Sequence, residues 1–196
     1  IVAVERFSKY LIFFLSNKKK CLIHLGMSGT IHFIKNNKKK AITNTSFYNS
    51  PTLPDKHTQI EIFFDKVRLV DTDPRRFGFF EIIKSSSLLK KRFNKFGPEP
   101  FQTKINLKYI TTYFKGKKKN IKNFLIDQNF VSGIGNIYAS EILFLSKINP
   151  FKKVDLIEKK DYKKILINSK KVLKRAIKKG GSSICLLYTS DAADDC

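Results

Sequence analysis

The residues of this sequence best suited to chemistry are cations, aromatics and glycines gathered in short blocks. In VSGIGNIYASEILF (131–144), Gly133 and Gly135 flank Ile134, so the backbone can turn tightly and approach a partner while one apolar side chain anchors the turn. Asn136 is placed to cap the helix that follows, whose free N–H groups and positive dipole end suit a phosphate. The same glycines could equally serve only to join two helices. Met27, the single methionine, sits between glycines in HLGMSG (24–29). It is either a core filler or a polarizable side chain able to slide into a gap in a base stack. TDPRRFG (72–78) offers Arg75 and Arg76, with donors for a phosphate or a base edge, and Phe77 beside them. Asp73 and Pro74 would shape that loop, which could also be a plain hairpin closed by a salt bridge. Lys9 in RFSKYL and Lys122 in IKNFL can neutralise phosphates or stand solvated.

Charge sets the kind of partner. Lysine and arginine total 39 against 16 acids, a net charge of +23. Three of those acids fall in the last twelve residues, so residues 1–184 carry +26. A field of that size favours a polyanion, with DNA or RNA the natural candidates, although a lysine-rich composition can also reflect biased base usage. Apolar residues make up 42%, including 18 Phe, which argues for packed structure over a disordered basic tail. No apolar run is long enough for a membrane span. Cys21, Cys185 and Cys196 form no close pair, and three histidines make no metal cluster, so no metal ligand is assigned. Cys21, in an apolar run, reads as a buried thiol. With no signal peptide apparent, a reducing, cytoplasmic setting is expected.

These groups must be held by two kinds of structure. Residues 1–83 read mostly as strands: 10–15, 21–25, 59–64 with Ile60, Ile62 and Phe64 on one face, 67–70 and 77–83. So many short strands without intervening helices predict an antiparallel sandwich. Residues 35–54, polar and bearing Pro51 and Pro54, read as a loop. The serines and Gly-Pro step of 85–105 read as an interdomain connection. Beyond it the period becomes helical. Ile121, Phe124, Leu125 and Gln128 fall on one helical face, a second helix runs from Asn136 to about Lys147, and a third covers 161–179, ended by Gly180-Gly181. The third helix's stripe is Tyr162, Ile165, Leu166, Ser169, Val172, Leu173, Ala176 and Ile177. The acidic tail 185–196 is expected to be non-native and outside the fold. The fold class is therefore α+β: a sandwich (1–84), a linker (85–105) and a helical domain (106–184).

The blocks HLGMSG, TDPRRFG, FGPEP (96–100), FLIDQ (124–128), GIGNIYASE (133–141) and IKKGGSS (177–183) stand in the order and spacing of the formamidopyrimidine-DNA glycosylases. The chain resembles that family over nearly all of 1–184. The resemblance implies a β-sandwich domain and a helical domain with a helix–two-turn–helix element, with damaged double-stranded DNA held in the cleft between them. It implies that Lys9 supports catalysis near the damaged nucleotide, and that Met27 and Arg75 fill the void left by a flipped base. Phe77 would be the aromatic wedge, and Arg76 would support the backbone. His57, Lys122 and Asn136 would contact DNA, and Glu141 would organise the active-site region. Gln59 replaces a second histidine found in many members. His24 is read as a strand residue without proton transfer.

The activity so implied is excision of oxidised purines, such as 8-oxoguanine and formamidopyrimidines, followed by cleavage of the abasic site through β,δ-elimination. Base flipping is required, because C1′ cannot be attacked within an intact stack. Family members carry an N-terminal proline whose secondary amine is the nucleophile, with a glutamate beside it. The present sequence is expected to start downstream of that segment and so to lack turnover by itself. The family's C-terminal Cys₄ zinc finger is not in the sequence either, so one zinc ion is expected of the intact protein and no cofactor of these residues. A monomer associated with DNA is expected. Two alternatives remain, a related oxidised-pyrimidine glycosylase and a non-catalytic DNA-binding module; an RNA-associated structural protein would rest on charge alone.

Overall fold

The structure, a computed structural model, describes residues 1–35, Leu53 and 56–178. The chain divides into two compact units, Ile1–Lys90 and a second beginning at Lys91. The first holds seven strands: β1 (Ala3–Phe7), β2 (Tyr10–Phe14), β3 (Lys20–His24), β4 (Thr30–Lys35), β5 (Thr58–Phe63), β6 (Val67–Thr72) and β7 (Phe79–Ile83). They form two antiparallel sheets, ordered β1-β2-β3-β7 and β4-β6-β5. Phe13, Cys21 and Ile23 of the first sheet meet Leu69, Ile31 and Ile62 of the second, so the two apolar faces close on each other as the sandwich reading requires. Cys21 is buried there, and burial pushes its thiol up.

Alternation works as expected in β5, where Ile62 and the following Phe64 pack inward and Phe63 is exposed, despite a bulge between Thr58 and Ile60. Two strands were not legible. The residues of β1 are mostly exposed, so an edge strand shows no buried stripe, and β4 hides its period behind a buried His32. The strand expected from Phe77 begins instead at Phe79, because 73–78 is a loop.

The segment read as a connection contains a helix, α1 (Ser86–Phe93). Ser85 explains it: its side-chain oxygen accepts the Leu88 N–H at 3.3 Å, so one of the serines that suggested a linker caps a helix. The second unit adds α2 (Leu107–Phe114), α3 (Ile121–Leu125), α4 (Asn136–Ser146) and α5 (Lys159–Lys178). Phe114, Phe124 and Phe130 make its aromatic centre, ringed by Ile121, Ile142 and Val172. Two hydroxyls fasten the main chain around that centre: Tyr109 donates to the Phe130 carbonyl and Tyr162 to the Val154 carbonyl, both at 2.6 Å.

The α5 stripe buries Tyr162, Ile165, Ser169, Val172 and Ala176, with Leu166 and Leu173 at its margin. Ile177 leaves the stripe and is exposed. Most of the 35–54 loop, Gly180-Gly181, the later residues of IKKGGSS and the 185–196 tail lie outside the described residues. Among the described residues no helix is long and apolar enough to cross a membrane.

Candidate nucleic-acid interface

Both connections that carry the expected wedge residues cross between the two sheets at one end of the sandwich. The first, 25–29, leaves β3 and enters β4; the second, 73–78, leaves β6 and enters β7. Because β3 pairs with β7 and β4 with β6, the two arches lie side by side. Met27 tops the first arch at 75% exposure, and Phe77 stands on the second at 55%. The Arg75 guanidinium lies 4.8 Å from the Phe77 ring centroid, a cation–π pair on the surface. Arg76 is exposed and holds φ at 55°, left-handed backbone that a non-glycine residue adopts only when its neighbours impose it.

Asp73 imposes it. The side chain is buried, yet Oδ1 accepts the Ser28 hydroxyl at 2.6 Å and the Arg75 N–H at 3.3 Å, and Oδ2 accepts the Gly78 N–H at 2.8 Å. Burial opposes the charge, but these bonds outweigh it and hold the carboxyl below the usual carboxylate range. The backbone N–H of Asp73 donates to the carbonyl of His57, which is half-buried, and the Gln59 amide donates to the same carbonyl. The departure at Gln59 therefore leaves a hydrogen-bonding side chain in use at that place.

Lys9 is exposed at the tip of the β1–β2 hairpin, but its surroundings are partly desolvated and burial lowers its pKa. Nearby His24 is lowered too, first by burial and then by the Lys9 charge. The His24 ring accepts the Gly26 N–H through Nδ1 at 3.0 Å and stacks on Phe79 with centroids 5.8 Å apart. It acts as the structural residue expected of it, joining the first arch to the sheet.

In the helical unit, α3 and α4 are linked by a turn whose fastening is Gln128. Its Nε2 donates to the Ile126 and Ile134 carbonyls, each at 2.9 Å, and its Oε1 accepts the Gly133 N–H at 2.8 Å. Gln128 is thus not the last residue of an apolar helical face, as its spacing suggested. Helix α3 stops at Leu125, and the polar member of the stripe turns back to hold the loop. The FGPEP block lies against this turn, with the Gly97 N–H donating to the Gln128 carbonyl and the Ser132 N–H to the Pro98 carbonyl. A Cβ on Gly97 would collide with the Phe130 carbonyl, which explains the glycine.

Asn136 does not cap α4. Gly135 is the N-cap and Asn136 the first helical residue, exposed, so its side chain is left for another partner at a helix end whose cap offers no side-chain bond. Lys122 lies half-buried on α3, where its N–H donates to the Pro150 carbonyl. Glu141 lies half-buried on α4, bordering an open groove of about 500 Å³ with Phe144, Ile148 and Pro150. The structure thus gathers Met27, Arg75, Arg76, Phe77 and His57 around one arch pair with Lys9 near its His24 root, and places Lys122, Asn136 and Glu141 on the two helices of the other unit. Ser28 and Gln128 were missed as anchors. The sequence signal for Gln128 was a polar residue in an otherwise apolar stripe, whereas nothing in sequence distinguishes Ser28.

A two-sheet sandwich with two paired arches, followed by helices joined through a glycine turn, defines a two-unit class of fold. Family models agree in both parts: the formamidopyrimidine-DNA glycosylase N-terminal domain matches residues 1–80, and the H2TH domain of the same glycosylases matches 96–187. The formamidopyrimidine-DNA glycosylase of Psychromonas ingrahamii is 35% identical over 191 residues, 97% of this chain and 65% of the relative. That of Legionella pneumophila is 33% identical over 192 residues, with the same coverages. Lactococcus lactis formamidopyrimidine-DNA glycosylase, solved non-covalently bound to DNA containing an abasic site, superposes with a TM-score of 0.79 at 30% identity, covering 93% of this chain and 65% of that one. MutM in complex with DNA containing carbocyclic 8-oxo-G gives 0.78 at 30%, with the same coverages. The chain belongs to the formamidopyrimidine-DNA glycosylase family, and it spans about 65% of the length of the curated relatives it matches.

Proposed function

We propose that the whole protein is a base-excision repair enzyme, a DNA glycosylase and abasic-site lyase that removes oxidised purines from duplex DNA. The carrying observation is the pair of arches, which present Met27, Arg75 and Phe77 outward from a buried, hydrogen-bonded carboxylate. Large apolar side chains held outward on a rigid support suit insertion between bases, and a guanidinium beside them can address the Watson–Crick edge of an unpaired base. The DNAs found bound to the two solved relatives, one with an abasic site and one with carbocyclic 8-oxo-G, fit this use.

Lys9 supports the reaction as a cation: partial desolvation lowers its pKa, and a DNA phosphate beside the ammonium would offset that cost. His57, Arg76, Lys122 and the Asn136 end of α4 supply phosphate contacts, and Glu141 orders the α4 side of the site. The expected setting is cytoplasmic and DNA-associated, with the protein acting as a monomer. Zinc belongs to the expectation for the intact family member. Among the described residues no three His, Cys, Asp or Glu side chains converge on a metal position, so none is assigned to zinc and no step runs through it.

The test is base release from a duplex containing 8-oxoguanine by the whole protein, with borohydride added to trap a covalent imine. Release with a trapped adduct is expected; lesion-selective binding without release would instead make the protein a non-catalytic lesion binder. Arg75→Ala should lower the preference for lesion over undamaged duplex by roughly tenfold, the scale of one base-directed arginine contact. Titration at fixed salt measures it, and an unchanged preference removes Arg75 from the wedge.

A further inference from the structure

The two arches are bound to each other more tightly than either needs for its own shape. Gly26 has φ at 62°, and a Cβ there would meet the Phe77 carbonyl carbon at 2.7 Å and the Gly78 nitrogen at 2.8 Å. A Cβ on Gly78 would meet the His24 carbonyl oxygen at 2.8 Å. The main chains of the arches therefore touch with no side chain between them. Across the same seam the Ser28 hydroxyl of the first arch donates to Asp73 of the second at 2.6 Å, while the other Asp73 oxygen takes the Gly78 N–H. One buried carboxylate thus collects donors from both arches. Just below it, the Thr30 and Thr72 hydroxyls meet at 2.8 Å, where β4 and β6 begin and end.

We propose that Asp73 is a positioning residue that fuses the Met27 arch and the Arg75–Phe77 arch into one rigid body, so that the side chains of both enter a duplex in a single step. Two separately hinged loops could open a stack in sequence, each at partial depth. A fused pair cannot, because moving Met27 away carries Ser28 off Asp73 and drags on Gly78. An ionised carboxylate with several donors suits such a joint, since hydrogen bonds to a charged acceptor are the strong ones. The fusion itself needs no DNA; its consequence for insertion rests on the proposed function.

The experiment therefore has two arms, both on the whole protein. In the first, amide hydrogen exchange is followed without DNA in Ser28→Ala, Ser28→Thr and Asp73→Asn. Ser28→Ala removes one bond to a charged group and should speed exchange in both arches, 25–29 and 73–78, by about tenfold or more. Ser28→Thr, which keeps the hydroxyl, should restore slow exchange, a rescue that a general packing role for Ser28 would not give. Acceleration confined to one arch overturns the fusion whatever the protein binds. In the second arm, 2-aminopurine beside an abasic analogue reports opening of the stack. Met27→Ala and Phe77→Ala should each abolish most of the signal, with the double variant losing little more. In the Ser28→Ala background the two losses should become independent. Additive losses in the native background overturn the single-step insertion. If neither variant changes the signal while the exchange result holds, the arches are fused but the DNA-wedge reading fails.

Discussion

The arch end of the sandwich and the glycine turn of the helical unit meet the same need by opposite chemistry. Each must hold a tight, irregular stretch of main chain rigid while presenting groups outward. The arches use a buried carboxylate that gathers donors from two connections. The turn uses the neutral amide of Gln128, which accepts from Gly133 and donates to the Ile126 and Ile134 carbonyls. A carboxylate can only accept, so Asp73 suits a seam rich in N–H and O–H groups, and an amide suits a turn whose open groups are of both kinds. The difference teaches that the sandwich anchor is tied to proton concentration and the helical anchor is not.

Gln128→Glu is the harshest way to break the comparison. The shape is kept, but a carboxylate oxygen replaces the donor that faced two carbonyls. Two lost bonds, with a half-buried carboxylate oxygen left facing two carbonyls, should cost about 3 kcal/mol or more. Loss of helical circular dichroism at lower urea checks it, and an unshifted midpoint would remove Gln128 as the fastening. Asp73→Asn should cost less, about 2 kcal/mol, because its amide oxygen can still accept one of the donors. Urea unfolding followed on sandwich signals measures that cost.

A third test uses pH. Asp71, two residues earlier on β6 and buried, has its carboxyl pushed up to about 6, by burial first and then by the Asp73 charge. A raised folded value favours the protonated fold, so this contribution is complete below the ordinary value of about 3.9 and is lost as pH rises through about 6. Asp73 runs the other way: its contribution is present above the ordinary carboxylate value and is lost as pH falls through its lowered one. Between pH of about 4 and 6 the Asp71 effect should therefore lower sandwich stability as pH rises, and Asp71→Asn should flatten that slope. Thermal unfolding across the interval decides it; an unchanged slope would mean that Asp71 does not titrate there. The smallest effect is expected for Lys117, whose ammonium sits 3.3 Å from the Tyr113 ring centroid. Lys117→Met should lower helical-unit stability by about 0.5–1 kcal/mol, measurable as a small shift in urea midpoint.

What the sequence disclosed followed the strength of its periodic signals. The helix α5 buries a regular stripe, while strands β2, β3, β5 and β6 are short runs rich in Ile, Leu, Val and Phe, and each was legible to within two residues at its ends. Helix α2 was not, because LKYITTYF is rich in β-branched and aromatic residues that favour strands; its start is fixed by Asn106, whose side chain accepts the Tyr109 N–H at 2.9 Å. At the candidate site, residue type alone left Met27, Arg75 and Phe77 open and the family resemblance singled them out; all three are exposed. The inward members, Ser28 with Asp73 and Gln128 with Gly133, depend on bonds formed only once the chain has turned. Asn136 shows the same limit: its type suggests a cap, but the helix starts one residue earlier than a cap at that position allows.

The hydroxyls of Tyr109 and Tyr162 have an optical consequence. The sequence contains seven tyrosines and no tryptophan, so tyrosine dominates its near-ultraviolet absorption. Both phenols donate to main-chain carbonyls inside the helical unit, and burial, followed by neighbouring charge, pushes both above the ordinary phenol range. As alkali is added their tyrosinate bands must therefore emerge late, and only as the carbonyls they grip are let go. Burial raises the Tyr113 phenol as well, so the late colour change of these three rings is a built-in spectroscopic clock for the loosening of the helical unit, readable without any label.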